Sequence, residues 1–224
     1  MDETAEYLPM FLAEGRDAPA SAASTGNRMS GSYNEIQLDA LRELANIGAG
    51  TASTALSQML GRSIDLAVPD ARVLPMADAV DKLGPAEREI TGIMLGVEGE
   101  LPATVLILLT PEDAEKICVM LGLEPESDLA PSALGEIGNV VGTSYLNALA
   151  GMTGLEIEPT PPATVTDFLG AIVESVLAVR AAASDRTLLL DSSLVIEGED
   201  CSIVFLLVPD HGGAEELLER IGVA

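Results

Sequence analysis

Residues 38–61 read LDALRELANIGAGTASTALSQMLG, and residues 132–154 read SALGEIGNVVGTSYLNALAGMTG. In the first stretch Leu41, Leu44, Ala45, Gly48 and Ala52 recur at intervals of three and four, which predicts a helix from about Glu35 to Leu60 with one buried stripe. Gly61 is the usual residue for a left-handed helix end. The other side carries Asp39, Glu43 and Asn46, which fall within roughly 60° of one another at 100° per residue; Gly50, Ser53 and Ser57 continue that face. The second stretch repeats the arrangement on a helix from Pro131 to about Ala150: Ser132, Glu136 and Asn139 stand at the same spacing, with Thr143 where Gly50 stood. Twenty-two residues separate each asparagine from a proline, Pro69 and Pro162, so the pattern [D/S]-x3-E-x2-N-x22-P occurs twice at an offset of 93. A solvated polar face explains most isolated Glu/Asn pairs, but not a doubled pattern with the distal proline in step.

The rest of the chain follows the same duplication. After the first helix come a strand-like stretch, Ile64–Val73, a short helix (MADAVDKL) and two β-rich runs (ITGIMLGV and ATVLILL) joined at 98–102. Thr110 and Pro111 then start a helix ending near Gly122. From Pro131 the order returns, with a strand-like stretch over 156–166, a helix over 168–183, two strands and a last helix. Phe168, Ile172, Val176 and Val179 form the expected core face of that helix over 168–183. VEGELPATVLILL lies over IEGEDCSIVFLLV at an offset of 99, matching Gly99 with Gly198 and Glu100 with Glu199. These repeats predict an internally duplicated α/β (α+β) fold, pseudo-two-fold, whose strands share one mostly antiparallel sheet flanked by helices. Residues 1–32, with an apolar cluster Tyr7–Leu12 and a Ser/Ala/Gly/Asn tract, read as a mobile arm. The folded part is then 33–224, half one about 33–123 and half two about 131–224.

Composition narrows the chemistry. Eleven basic and 36 acidic residues leave a formal charge of −25, which repels nucleic-acid phosphates and anionic lipid headgroups. Only two cations are lysines, Lys82 and Lys116, and such a surface suits a halophile. Cys118 and Cys201 sit in apolar runs and read as small core residues. With one histidine, His211, placed as a surface turn residue, no zinc cluster and no triad built on a histidine base is available. Any chemistry must use carboxylates and amides. The first residues are acidic and no eighteen-residue apolar run exists, so no signal or membrane insertion is expected and the chain reads as cytoplasmic.

The doubled motif, over about 35–210, resembles the CheC/CheX/FliY family of chemotaxis phosphatases. The resemblance implies hydrolysis of the phosphoaspartate of the response regulator CheY. Carried onto this chain, Asn46 and Asn139 would position the attacking water. Glu43 and Glu136 would be docking carboxylates that pair with the regulator's lysine, with Asp39, Ser132, Pro69 and Pro162 as supporting positions. The phosphorylated regulator brings Mg²⁺, so no cofactor or metal of the chain's own is expected. Phosphorylated CheY and the deamidase CheD are the implied partners, on a monomer. The alternative is a non-catalytic adaptor that binds CheY-phosphate or CheD. A motor-switch subunit is disfavoured because the chain ends soon after the last helix.

The acidic surface carries its own expectation. Helicity by circular dichroism and activity should rise as KCl is taken from low ionic strength to the molar range. Full helicity and activity at low salt would refute it.

Overall fold

The computed structural model describes residues 33–66, 70–178, 186–199 and 201–223. The expected arm, Pro69 and Val179 lie outside them. Helix α1 spans Glu35–Leu60; strands β1 (Ile64–Leu66) and β2 (Asp70–Pro75) follow, then α2 (Met76–Leu83), β3 (Glu89–Gly99), β4 (Ala103–Leu109) and α3 (Pro111–Met120). The second series is α4 (Ala130–Thr153), β5 (Ile157–Pro159), β6 (Ala163–Phe168), α5 (Leu169–Ala178), β7 (Arg186–Ile196), β8 (Ser202–Pro209) and α6 (Gly213–Arg220). Each strand-like stretch predicted after a long helix is thus two short strands; in the second half the break falls at Pro161 and Pro162, which cannot donate to a ladder.

All the pairings are antiparallel, in one sheet ordered β1-β7-β8-β4-β3-β5, with β2 also on β7 and β6 also on β3. Central pairing joins β4 to β8, and Leu106 faces Leu206. The outer strands are exchanged: β1 and β2, from the first half, pair with β7 of the second, and β5 and β6 pair with β3. The pseudo-two-fold therefore interlocks the halves instead of placing them side by side.

The register corrects one detail of the duplication. Gly99 pairs with Ile157, and the residue facing the equivalent Ile64 is Ile196, not Gly198. Val97 pairs with Ala103 across the first turn, whereas the second hairpin runs on from Leu194–Ile203 to Val195–Ser202. The longer second hairpin displaces the matching VEGE and IEGE stretches in the fold.

Every residue of β4 is buried, because both faces of the sheet are covered. On one face Val105, Ile107, Leu190, Phe205 and Leu207 meet α1, α3, α4 and α6; on the other Met94, Leu106, Leu189 and Leu206 meet α2 and α5. Phe168 departs from expectation. It ends β6 and is 54% exposed, because the helix begins one residue later and turns Leu169, Ile172, Val173, Val176 and Leu177 inward instead. Cys118 and Cys201 are free and buried. Burial, with Asp113 alongside, pushes the Cys201 thiol up to about 12, so it stays protonated and inert. His211 is an exposed turn residue.

Helices α1 and α4 lie against each other across the centre of their layer. The fully buried Tyr145 ring stacks on Phe205, with ring centroids 4.4 Å apart. A Cβ at Gly48 would come within 2.8 Å of that ring, so the glycine is what admits the tyrosine. Gly50, two residues on, faces open space. Gly48→Ala should destabilise the fold by about 1–3 kcal/mol through overpacking, despite the roughly 1 kcal/mol that alanine gains as a helix former. Gly50→Ala should instead stabilise by up to about 1 kcal/mol. Urea unfolding of both variants checks the pair; an unchanged Gly48→Ala midpoint would contradict the close approach.

Candidate functional site

The motif residues sit where the helical spacing puts them. On α1 the apolar stripe of Leu41, Leu44, Ala45, Gly48 and Ala52 is buried, while Asp39, Glu43 and Asn46 are exposed. On α4 Leu134, Ile137, Val141 and Tyr145 are buried; Ser132 and Glu136 are exposed and Asn139 is half-buried. Each Glu/Asn pair projects from a long helix held rigid by the core, a stable mount for a group that must be placed to a fraction of an ångström.

Ser53 and Ser57 do not extend the free polar face. The Ser53 hydroxyl donates to the Ile64 carbonyl at 3.2 Å and that of Ser57 to the Arg62 carbonyl at 2.5 Å. They bind the turn after α1 to the helix itself.

The two motifs are supported differently. At the second, Gly135 faces the β6 entry and leaves room there: an added Cβ would meet Thr164 Oγ1 at 3.5 Å and Pro162 Cγ at 3.9 Å, ordinary contact distances. The Thr143 hydroxyl donates to Asn139 Oδ1 at 3.4 Å, which leaves the amide NH₂ out of that bond. At the first motif Gly50 supplies no such hydroxyl, and the position matching Gly135 is Arg42. Its guanidinium lies 3.4 Å from Asp70 and 3.7 Å from Asp39. Asp70 also receives Arg72 at 2.6 Å, so an ionic network ties Asp39 of the motif to the start of β2. A further feature is shared. Ile36 and Leu129, at equivalent positions seven residues before Glu43 and Glu136, are 72% and 63% exposed. A seven-residue step returns to the same helix face, so each carboxylate has an exposed aliphatic neighbour two turns away, and Ile47 beside Asn46 is exposed as well.

The sequence reading missed these features for definite reasons. Arg42 and Asp70 lie 28 residues apart with no periodic relation. Ile36 and Leu129 resemble core residues until burial is known. Among the described residues no group of three or more His, Cys, Asp or Glu could hold a metal ion, and no helix is long and apolar enough to cross a membrane.

Arg72 first, and then Arg42, hold the Asp70 carboxyl below its ordinary range. A depressed folded pKa contributes stability above the unfolded value, near 4, that is lost as pH falls through the folded one. Asp70→Asn should therefore cost at most about 1 kcal/mol near neutrality, a small figure because the pair is solvent-screened. The difference from the unsubstituted protein should persist to about pH 5 and close below pH 4. Urea titrations at several pH values test this, and a gap that widened in acid would contradict it.

Comparison with known proteins bears on the family and the fold. A model of the CheC-like family matches residues 36–72 and 129–166, the two motif segments. The CheY-P phosphatase CheC of Bacillus subtilis is 31% identical over 200 residues, covering 85% of this chain and 96% of that protein. A CheC1 of Halobacterium salinarum is 27% identical over 132 residues, 56% of this chain and 67% of its own. Among solved structures, FliY of Thermotoga maritima superposes with a TM-score of 0.70 at 21% identity, over 85% of this chain and 98% of FliY, and it shares the fold. By sequence and by fold, the chain belongs to the CheC-like family.

Proposed function

We propose that this protein hydrolyses the phosphoaspartate of a phosphorylated CheY-type response regulator. The observation that carries the reading is the doubled, outward-facing Glu-x-x-Asn pair on two rigid helices, in a chain similar to a CheY-P phosphatase over nearly the whole of that protein. In the reaction a water oxygen attacks phosphorus while the bond from phosphorus to the aspartyl oxygen breaks. Aspartate leaves as a carboxylate, inorganic phosphate forms, and the water proton passes to phosphate or solvent. Mg²⁺ belongs to the regulator and enters with it as part of the substrate.

Such a step asks for in-line positioning more than for covalent chemistry. A carboxamide donates and accepts hydrogen bonds without changing charge, so the Asn46 or Asn139 side chain can hold a neutral water against the acyl phosphate. Glu43 or Glu136 pairs with a regulator lysine, as the family resemblance implies, and sets the approach. Ile36 and Leu129 supply the apolar contact that a protein substrate, unlike a small phosphoester, would cover. Asp39, Ser132, Pro69 and Pro162 complete the two motifs as supporting positions, as the family resemblance implies. Because Asn139 is oriented by Thr143 and Asn46 is not, the second site should be the faster.

The test is phosphate release from Mg²⁺-loaded, phosphorylated CheY. Asn46→Ala and Asn139→Ala should each remove one site's share, the larger loss falling on Asn139→Ala. The double variant should drop on the order of 10²-fold or more, to the regulator's own rate of loss, with its circular dichroism unchanged. Glu136→Lys should raise KM more than it lowers kcat. A protein that never exceeds the regulator's own rate would instead be a binding module.

A further inference from the structure

The duplication makes each half a reference for the other, and at one place their side chains differ in what they fill. In the second half a cavity of about 600 Å³ opens between α3, the loop before α4 and β6. Its wall includes Glu115, Cys118, Glu126, Ser127, Ala130 and Thr164. The equivalent space in the first half lies between α6, the residues before α1 and β2. The two C-terminal turns establish the equivalence: Gly122 N–H donates to the Val119 carbonyl and Leu123 N–H to that of Cys118, as Gly222 does to Glu219 and Val223 to Leu218. By that match Glu115 corresponds to Glu215 and Cys118 to Leu218. By the offset of the motifs, Glu126 corresponds to Tyr33, Ser127 to Asn34 and Ala130 to Gln37.

In the first half this space is occupied. Tyr33 packs against the core, and its hydroxyl donates to Glu215 Oε1 at 2.7 Å. Asn34 and Gln37 close a capping box over the helix start, the Asn34 side chain accepting from Gln37 N–H at 2.9 Å while Gln37 accepts from Asn34 N–H at 3.0 Å. In the second half each filler is reduced: the phenol becomes Glu126, the glutamine Ala130 and the leucine Cys118. The helix start has no side-chain cap. Ser127, where Asn34 caps the other helix, has a buried hydroxyl with no partner among the described residues. The acceptor survives: Glu115 is exposed on the cavity wall, where Glu215 receives the Tyr33 phenol.

We propose that this cavity is a seat for a phenol ring, a tyrosine side chain presented by a partner protein, with the ring against Ala130 and Cys118 and its hydroxyl donating to Glu115. Tyr33 in the first half is the built-in example of such an occupant. The seat adjoins the second motif: Pro131 and Leu134 on its wall flank Ser132, and Thr164 touches the Gly135 position. A tyrosine bound here would add an anchor beside the Asn139 site; beside the exposed Asn46 the corresponding space is taken by Tyr33. The seat rests on the cavity and its filled counterpart, so it stands or falls separately from phosphatase activity.

The probe is p-cresol, a tyrosine side chain without its backbone, with toluene as the ring lacking the hydroxyl. The full chain, labelled at alanine and leucine methyls, is titrated with each and followed by NMR. The expected result is saturable shifts at Ala114, Ala130 and Leu134, with at least tenfold weaker binding of toluene. Glu115→Ala should weaken p-cresol about tenfold and leave toluene unchanged. Glu126→Tyr, which returns the residue of the first half, should abolish p-cresol binding and raise the melting temperature; both substituted positions are exposed, so folding is not at stake. In the opposite direction, Tyr33→Ala should lower the melting temperature and create a second p-cresol site at α6, with rescue by millimolar p-cresol. Absence of saturable shifts in the unsubstituted protein, p-cresol binding that survives Glu126→Tyr, or equal binding of toluene would each overturn the proposal. Phosphate release from phosphorylated CheY, measured on the same Glu126→Tyr protein, reads the other function independently.

Discussion

The β4–β8 ladder at the centre of the sheet is the interaction on which the rest depends. It joins the two halves through a strand whose seven residues are all buried. With β4 and β8 side by side, the hairpins β3–β4 and β7–β8 extend outward, and each offers its free edge to the short strands that follow the opposite half's motif helix. That exchange makes the two motifs one structure. Helix α1 is tethered through β1 and β2 to β7, and α4 through β5 and β6 to β3. Neither helix can shift without disturbing strands of the other half.

On this frame the division of labour along each motif helix is simple. One stripe is spent on the core, and α1 and α4 approach closely where Gly48 admits the Tyr145 ring. The opposite stripe is left with a carboxylate and a carboxamide, groups that cost little when solvated and can offer a charge and hydrogen bonds to a protein surface. The buried cysteines and the turn histidine stand outside this arrangement, so the chemistry that the exposed helix faces offer is that of charge pairing and hydrogen bonding.

The halves have diverged in what surrounds the same pair of side chains. The first motif is braced by charges, Arg42 between Asp39 and Asp70, and its helix start is sealed by Tyr33, Asn34 and Gln37. The second has Gly135 in place of Arg42, with room left beside Thr164 and Pro162, and Thr143 donates to its asparagine. Ionic bracing is screened by salt, which has weight at the first motif in a chain of formal charge −25. Duplication keeps a scaffold while freeing each copy to acquire its own neighbours.

Much of this was legible in the chain itself. Helical periodicity separated the buried stripes of α1 and α4 from the faces carrying Glu43, Asn46, Glu136 and Asn139, because burial of a helix face is a local, periodic demand on sequence. The doubled spacing announced the duplication, and the antiparallel sheet followed from hairpins of β-branched residues. Tertiary structure alone decided the exchange of outer strands, the displaced register of Gly99 and Gly198, the outward turn of Phe168, the Arg42–Asp70 pairing and the contrast between a filled and an open space at the two helix starts. Each depends on which distant residues meet, and a linear pattern records the period of a segment but not the partner it is packed against.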